Sequence, residues 1–279
     1  MEGEGSSETE CYTAIETNTT DSLDNSIIFH VIKNILGFIL YMHQQIPAVL
    51  QDLTLEFDSL KQEYNEMTTA AAEQTEAKAS IRRQQISRRR EVRLGIQRFE
   101  KLMNAISGIE TALKLIISEN PKIESFILIL GATPLRPLHV YELSFLHGSN
   151  SVLSASTDFT TNKAAEALAR KAVRALITNG AGSGSYPGPS KLFLLVKAPS
   201  SFNLPLHFLP KRDFKYSKKI VPVRLRVKCK SRGLQMDAPD CARQNSSSIS
   251  LRDSLSEELI WFQCRHVVKG IACATQTEE

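Results

Sequence analysis

The chain has 279 residues, a formal net charge of +4, 42% hydrophobic and 23% charged residues. That balance excludes a wholly disordered, collagen-like or coiled-coil chain, and the length suits one large domain with tails or two small ones. Five widely spaced cysteines, Cys11, Cys229, Cys241, Cys264 and Cys273, contain no C-x-x-C pair, so neither a disulfide framework nor a zinc cluster is encoded and a reducing compartment fits best.

Residues 1–25 carry seven carboxylates and no Lys or Arg, which leaves +11 on the remainder. With little to bury, this stretch reads as a disordered acidic tail, and it has neither the apolar nor the basic region of a targeting signal. From Ser26, Ile27, Ile28, Val31, Ile32, Ile35, Leu36, Ile39 and Leu40 recur at helical spacing until Pro47, predicting a core helix. Its longest unbroken apolar run, Ile35 to Met42, is eight residues, so no membrane span is expected. Gly37 inside it either marks a close approach by another element or has no special role.

Residues 49–76 predict a helix that fades into a mobile connection at about 66–80. Residues 78–98 hold eight basic side chains, among them Arg82, Arg83, Arg88, Arg89 and Arg90, against the single acid Glu91. Three readings stand for this run: a nuclear localisation segment, a nucleic-acid patch, or a solvated helix face. It overlaps a helix whose apolar stripe (Val92, Ile96, Phe99, Met103, Ile106, Ile109, Leu113, Ile116) stops at Asn120-Pro121.

Phe126 to Gly131 predicts a strand buried on both faces. Leu138 to Leu146, with Tyr141, Leu143 and Phe145 on its apolar side, predicts its antiparallel hairpin partner. Thr160, Thr161 and Asn162 cap an Ala-rich helix from Lys163 to Thr178 that ends at Asn179-Gly180, with Leu168, Ala172, Ala175 and Leu176 inward. A linker at 180–190 follows, then a strand at Leu192 to Val196, a Pro-, Phe- and Lys-rich loop, and a strand at Val221 to Lys230. In the last of these Val223, Leu225, Val227 and Cys229 oppose Arg224, Arg226, Lys228 and Lys230. A polar insertion at 231–257 precedes a final strand at Leu259 to Gln263, extended through Val267 and Val268, and a tail at 271–279.

Gly180-Ala-Gly-Ser-Gly184 follows a helix and precedes a strand, the reverse of a phosphate loop, so it reads as a linker. The six histidines, 30, 43, 139, 147, 207 and 266, have no local ligand or triad spacing and read as surface or core residues. Cys229 and Cys264 read as buried thiols. No cofactor, metal or catalytic constellation is expected, and the profile is that of an interaction module rather than an enzyme.

Four stretches occur in order: Leu40-Tyr41-Met42-His43-Gln44-Gln45-Ile46-Pro47; Ile127 to Gly131 followed by Tyr141-Glu142-Leu143; Pro210-Lys211; and Ile260-Trp261-Phe262-Gln263 with Lys269-Gly270. Over roughly residues 26–270 this set resembles the comet family, the binding proteins of the Mad spindle-checkpoint protein. The resemblance implies an α+β, HORMA-like domain over 26–270, with an antiparallel sheet packed on three long helices and a C-terminal β segment wrapped over it. It also implies a non-enzymatic adaptor without cofactor. Such an adaptor binds the closed conformer of Mad-type checkpoint proteins, and of related meiotic HORMA proteins, and presents it to the pachytene-checkpoint AAA+ ATPase.

Carried over by position, the target-facing residues would be Tyr41, Met42, Gln45, Arg170, Val173 and Arg174. Pro210 and Lys211 would touch the ATPase, with the acidic tail as a second engagement point. Family members can show Gln and Phe where this chain has Met42 and Val173, which implies a smaller hot spot, or one that uses other side chains. Trp261 is expected to be a structural anchor. The implied location is the nucleus, together with cytoplasm and chromosomes or spindle, and neither a membrane nor a nucleic-acid partner is implied. The residues alone leave open a basic nucleic-acid-associated nuclear protein, using 78–98 and the Arg224/Arg226/Lys228/Lys230 face.

Overall fold

A computed structural model describes residues 13–16, 23–73, 79–120, 123, 125–146, 159–160, 163–182, 188–217, 219–228 and 258–271. Within them the chain is a mixed α+β protein. Thr161, Asn162, Cys229, Lys230, the 231–257 insertion and most of both tails lie outside the described residues.

Helix α1 (Asn25–Met42) is the centre of the core. Asp24 has extended backbone at its N-cap, and the Asp24 carbonyl accepts the Ile28 N–H at 3.1 Å. Val31, Ile32, Ile35, Ile39 and Leu40 are completely buried, each contributing about 1.5–3 kcal/mol of apolar transfer. Taken whole, α1 is long and apolar enough to cross a membrane, contrary to the expectation drawn from its eight-residue run. It is instead 72% buried inside the fold, where it serves as the core helix. Gly37 is a true close approach: a Cβ there would lie 2.6 Å from Leu50 Cδ1.

Helix α2 (Leu53–Glu73) runs to Glu73, beyond the point where the sequence suggested fading, and α3 (Ala79–Glu119) begins at Ala79. Phe57 of α2 stacks on Phe99 of α3, with ring centroids 5.6 Å apart and planes inclined by 12°. The buried stripe of α3, from Val92 through Phe99, Ile106, Ile109 and Leu113 to Ile116, matches the predicted one, with Ile96 and Met103 only partly covered. Gly95 has open space where a side chain would project. Gly95→Ala is therefore expected to raise stability by about 0.5–1 kcal/mol through helix propensity alone, measured as a shift in the urea midpoint.

The sheet runs β1 (Thr13–Glu16), β6 (Val223–Lys228), β3 (Arg136–Leu146), β2 (Ser125–Thr133), β4 (Lys191–Pro199), β7 (Leu259–Cys264), β5 (Phe208–Lys211), with β8 (Val268–Lys269) also on β4. Strand β2 is buried on both faces, as predicted. Phe126, Leu128 and Leu130 meet the helices, while Ile127 and Ile129 join Val140, Phe193 and Leu195 beneath Phe214, Tyr216, Ile220, Trp261 and Val267. Trp261 is half-buried there and packs on Phe214.

Four expectations are corrected. The sheet is mixed rather than antiparallel, because β6 pairs parallel with both β1 and β3. The described helices number four, with α4 (Lys163–Thr178) parallel to α1 and α2 a long element in its own right. The C-terminal segment does not cross a face of the sheet but enters it beside β4, leaving the ladder at Arg265 and returning at Val268. Finally, the tail is not structureless throughout. Thr13–Glu16 forms an edge strand because Ile15 finds a place in the core at 2% exposure and β6 offers an open ladder.

Candidate partner-binding surface

Both core helices end in the same way. At α1 the Gln45 N–H donates to the Leu40 carbonyl at 2.8 Å and the Gln44 N–H to the Tyr41 carbonyl at 2.9 Å, a Schellman closure with Gln44 at φ 52°. At α4 the Ala181 and Gly180 N–H groups donate to the Leu176 and Ile177 carbonyls at 2.9 and 3.0 Å, with Gly180 at φ 77°. The helix starts are tied by Ser26 Oγ donating to the Thr160 carbonyl and His30 Nε2 donating to the Phe159 carbonyl, each at 2.8 Å. The ends meet where a Cβ on Gly182 would lie 2.8 Å from Met42 Cε. Helices α1 and α4 therefore lie side by side and point the same way.

Both helices of the pair keep apolar side chains exposed, and α4 adds exposed positive charge. Tyr41 is 45% exposed, Met42 37% and Ile177 52%. Val173, one turn before Ile177, is half-buried, and Arg170 and Arg174 are exposed. Arg170 lies 3.7 Å from Glu166, a weak surface pair. The sequence reading passed over Ile177. The signal was present: Ile177 stands four residues after Val173, off the Leu168/Ala172/Leu176 stripe, so an apolar side chain was assigned to no inner face.

Gln45 does not belong to this surface. Its side chain is completely buried. Nε2 donates to the His43 carbonyl at 2.6 Å and the Gly188 carbonyl at 3.3 Å, and Oε1 accepts the Ser190 N–H at 2.6 Å. Its carbonyl accepts the Ile271 N–H at 2.8 Å. A Cβ on Gly270 would collide with Gln45 Oε1. Gln45 thus ties the end of α1 to the entry of β4 and to the chain beyond β8, and a partner cannot touch it.

Pro210 and Lys211 are exposed on β5, the opposite edge of the sheet from β1 and β6, over which α4 packs. The two proposed contact sets are therefore held apart by one continuous sheet. Arg82, Arg83, Arg88, Arg89 and Arg90 are all exposed on α3, and Arg88 donates to Glu63 of α2 at 2.8 Å. The Arg224/Arg226/Lys228 face is not open as a nucleic-acid reading requires. All three residues are half-buried, and Arg224 Nε donates to Glu142 at 2.7 Å beside Tyr216, whose hydroxyl also donates to Glu142. Burial, then that hydrogen bond, pushes the Tyr216 phenol above its usual range, so it remains a donor.

Histidines without local spacing are brought together by the fold. His207 Nδ1 and His266 Nε2 lie 3.0 Å apart, so one ring must donate and the other accept. His43 shares a 2.7 Å hydrogen bond with the Tyr141 hydroxyl and stacks near His139, ring centroids 4.1 Å apart. Burial, then the neighbouring His139, holds the His43 imidazole down at about 4, against 6.5 ordinarily, and burial also lowers His139. Because protonation then favours the unfolded chain, stability is full above 6.5 and is lost as pH falls from there toward about 4. The thermal midpoint should fall across that window, and should fall less in His43→Gln.

The Cys264 thiol, pushed up to about 11 by burial, is no nucleophile at neutral pH, in line with its reading as a core residue. Among the described residues no group of three or more His, Cys, Asp or Glu side chains is placed to hold a metal ion. What the surface offers is contact area and charge. No family model matches the chain, and no curated protein matches it.

Proposed function

We propose that this chain is a non-enzymatic adaptor of HORMA-like fold. It binds the closed conformer of Mad-type checkpoint proteins or meiotic chromosome-axis HORMA proteins and presents them to a pachytene-checkpoint AAA+ ATPase. The observation that carries the reading is the side-by-side pairing of α1 and α4, which leaves Tyr41 and Met42 exposed on the one helix and Ile177, Arg170 and Arg174 exposed on the other. A second exposed pair, Pro210 and Lys211, stands at the far edge of the same sheet. An adaptor needs two separated contact surfaces on one frame, and it needs no reacting groups. Its contribution is differential affinity for one conformer, while ATP hydrolysis in the motor supplies the free energy of opening.

The target-facing set is Tyr41, Met42, Arg170, Val173, Arg174 and Ile177, with apolar anchors inside a cationic rim. Pro210 and Lys211 face the ATPase, and the acidic N-terminus suits a basic groove or pore. The role places the protein in the nucleus and at chromosomes or spindle, promoting checkpoint silencing and meiotic progression. The test is reconstitution. Purified chain, closed HORMA protein and ATPase should co-elute as one complex in the presence of a non-hydrolysable nucleotide, and recovery of neither partner would refute the assignment.

A further inference from the structure

Helices α2 and α3 leave the body as a two-helix arm. Beyond the Phe57–Phe99 stack, Leu60, Tyr64 and Met67 of α2 are only half-buried against α3, and every residue from Ala79 to Glu91 is exposed. The side of α3 that faces α2 carries Arg88, bonded to Glu63, then buried Val92 and stacked Phe99. On the opposite side Arg83, Ile86, Arg90 and Leu94 form one row at three- and four-residue spacing, with Arg93 alongside. Ile86 is 63% exposed and Leu94 39%. Among the described residues no carboxylate pairs with Arg83, Arg90 or Arg93.

We propose that this outer face of α3 docks an acidic amphipathic helix of a partner protein, its apolar ridge on Ile86 and Leu94 and its carboxylates on Arg83, Arg90 and Arg93. Charge complementarity fixes the sign of the occupant, since residues 78–98 hold eight basic side chains and one acid. The apolar members fix its kind. Two exposed aliphatic side chains inside an arginine row gain nothing against phosphate, but they match the i, i+3, i+4, i+7 anchors of a helix laid alongside. The arm is also poorly suited to nucleic acid. The α3 row has no aromatic platform on which bases could stack. A third helix would complete an arm that is too thin to bury its own apolar side chains.

The test uses the full chain and three fluorescent probes: a three-heptad helical peptide with Leu at the core positions and Glu elsewhere, the same peptide with Lys for Glu, and a short DNA duplex. The acidic peptide should bind saturably and the Lys peptide should not. Ile86→Ser with Leu94→Ser should lower that affinity at least about tenfold, as loss of anchor residues does. Arg83→Glu with Arg90→Glu and Arg93→Glu should abolish it. Circular dichroism melts, unchanged in both variants, separate lost contact from lost folding. No saturable binding of the acidic peptide, binding that the serine variant leaves intact, or binding of DNA in place of the peptide would each overturn the proposal.

Discussion

Replacing Gln45 by alanine should cost about 2–4 kcal/mol of stability, because buried groups that lose a partner cost about 1–3 kcal/mol each and more than one is orphaned. The Ser190 N–H loses Oε1 and the His43 and Gly188 carbonyls lose Nε2, the His43 bond buried and the other two partly buried. The same clamp is tested from its other side. Gly270→Ala would drive a methyl group into Oε1, and overpacking of this kind costs about 1–3 kcal/mol. Chemical denaturation of both variants measures the loss. Hydrogen exchange should localise it to the Ile271 N–H and the residues from Ser190 into β4, which Gln45 holds in place. A Gln45→Ala protein of unchanged stability would show that the clamp is dispensable.

Tyr41→Ser combined with Met42→Ser and Ile177→Ser should weaken binding of a closed HORMA partner by at least about a hundredfold, the scale expected when central apolar anchors of an interface are removed together. The three side chains are 45%, 37% and 52% exposed in the free chain, and only Met42 packs at the meeting of the helix ends, so the thermal midpoint should fall modestly while the fold is kept. Charge reversal at Arg170 and Arg174 should act differently, since rim charges chiefly set the association rate and its salt dependence. Binding kinetics at two ionic strengths distinguish the two classes. Equal affinity in the serine triple variant would place the contact elsewhere.

What the chain reveals unaided depends on whether the cause of a feature is local. Strand β2 was legible because Phe126 to Leu130 are apolar without interruption, and only burial on both faces accounts for that. The limits of α4 were legible because Gly180 supplies the positive φ of its closure. The equivalent closure of α1 was hidden, since Gln44 takes that conformation without being glycine. Strands β1 and β5 escaped notice for another reason. Thr13–Glu16 and Phe208–Lys211 are four residues each, one in an acidic context and one containing Pro210, and only pairing with distant strands makes them regular.

The candidate site divides along the same line. Tyr41, Met42 and Gln45 were named together through the family resemblance, and the burial that sets Gln45 apart follows from partners 143 and 145 residues away. Ile177 was legible as an apolar side chain off the Leu168/Ala172/Leu176 stripe. The His43–His139 and His207–His266 pairs are products of folding that no spacing announces.

The most direct test is a calorimetric titration of this chain, in turn, with the closed and the open conformer of one Mad-type HORMA protein, each locked by substitution. Tighter binding of the closed form by at least about tenfold, or 1.4 kcal/mol of differential free energy, is the result predicted for an adaptor that selects a conformer. Equal affinity for the two would contradict it.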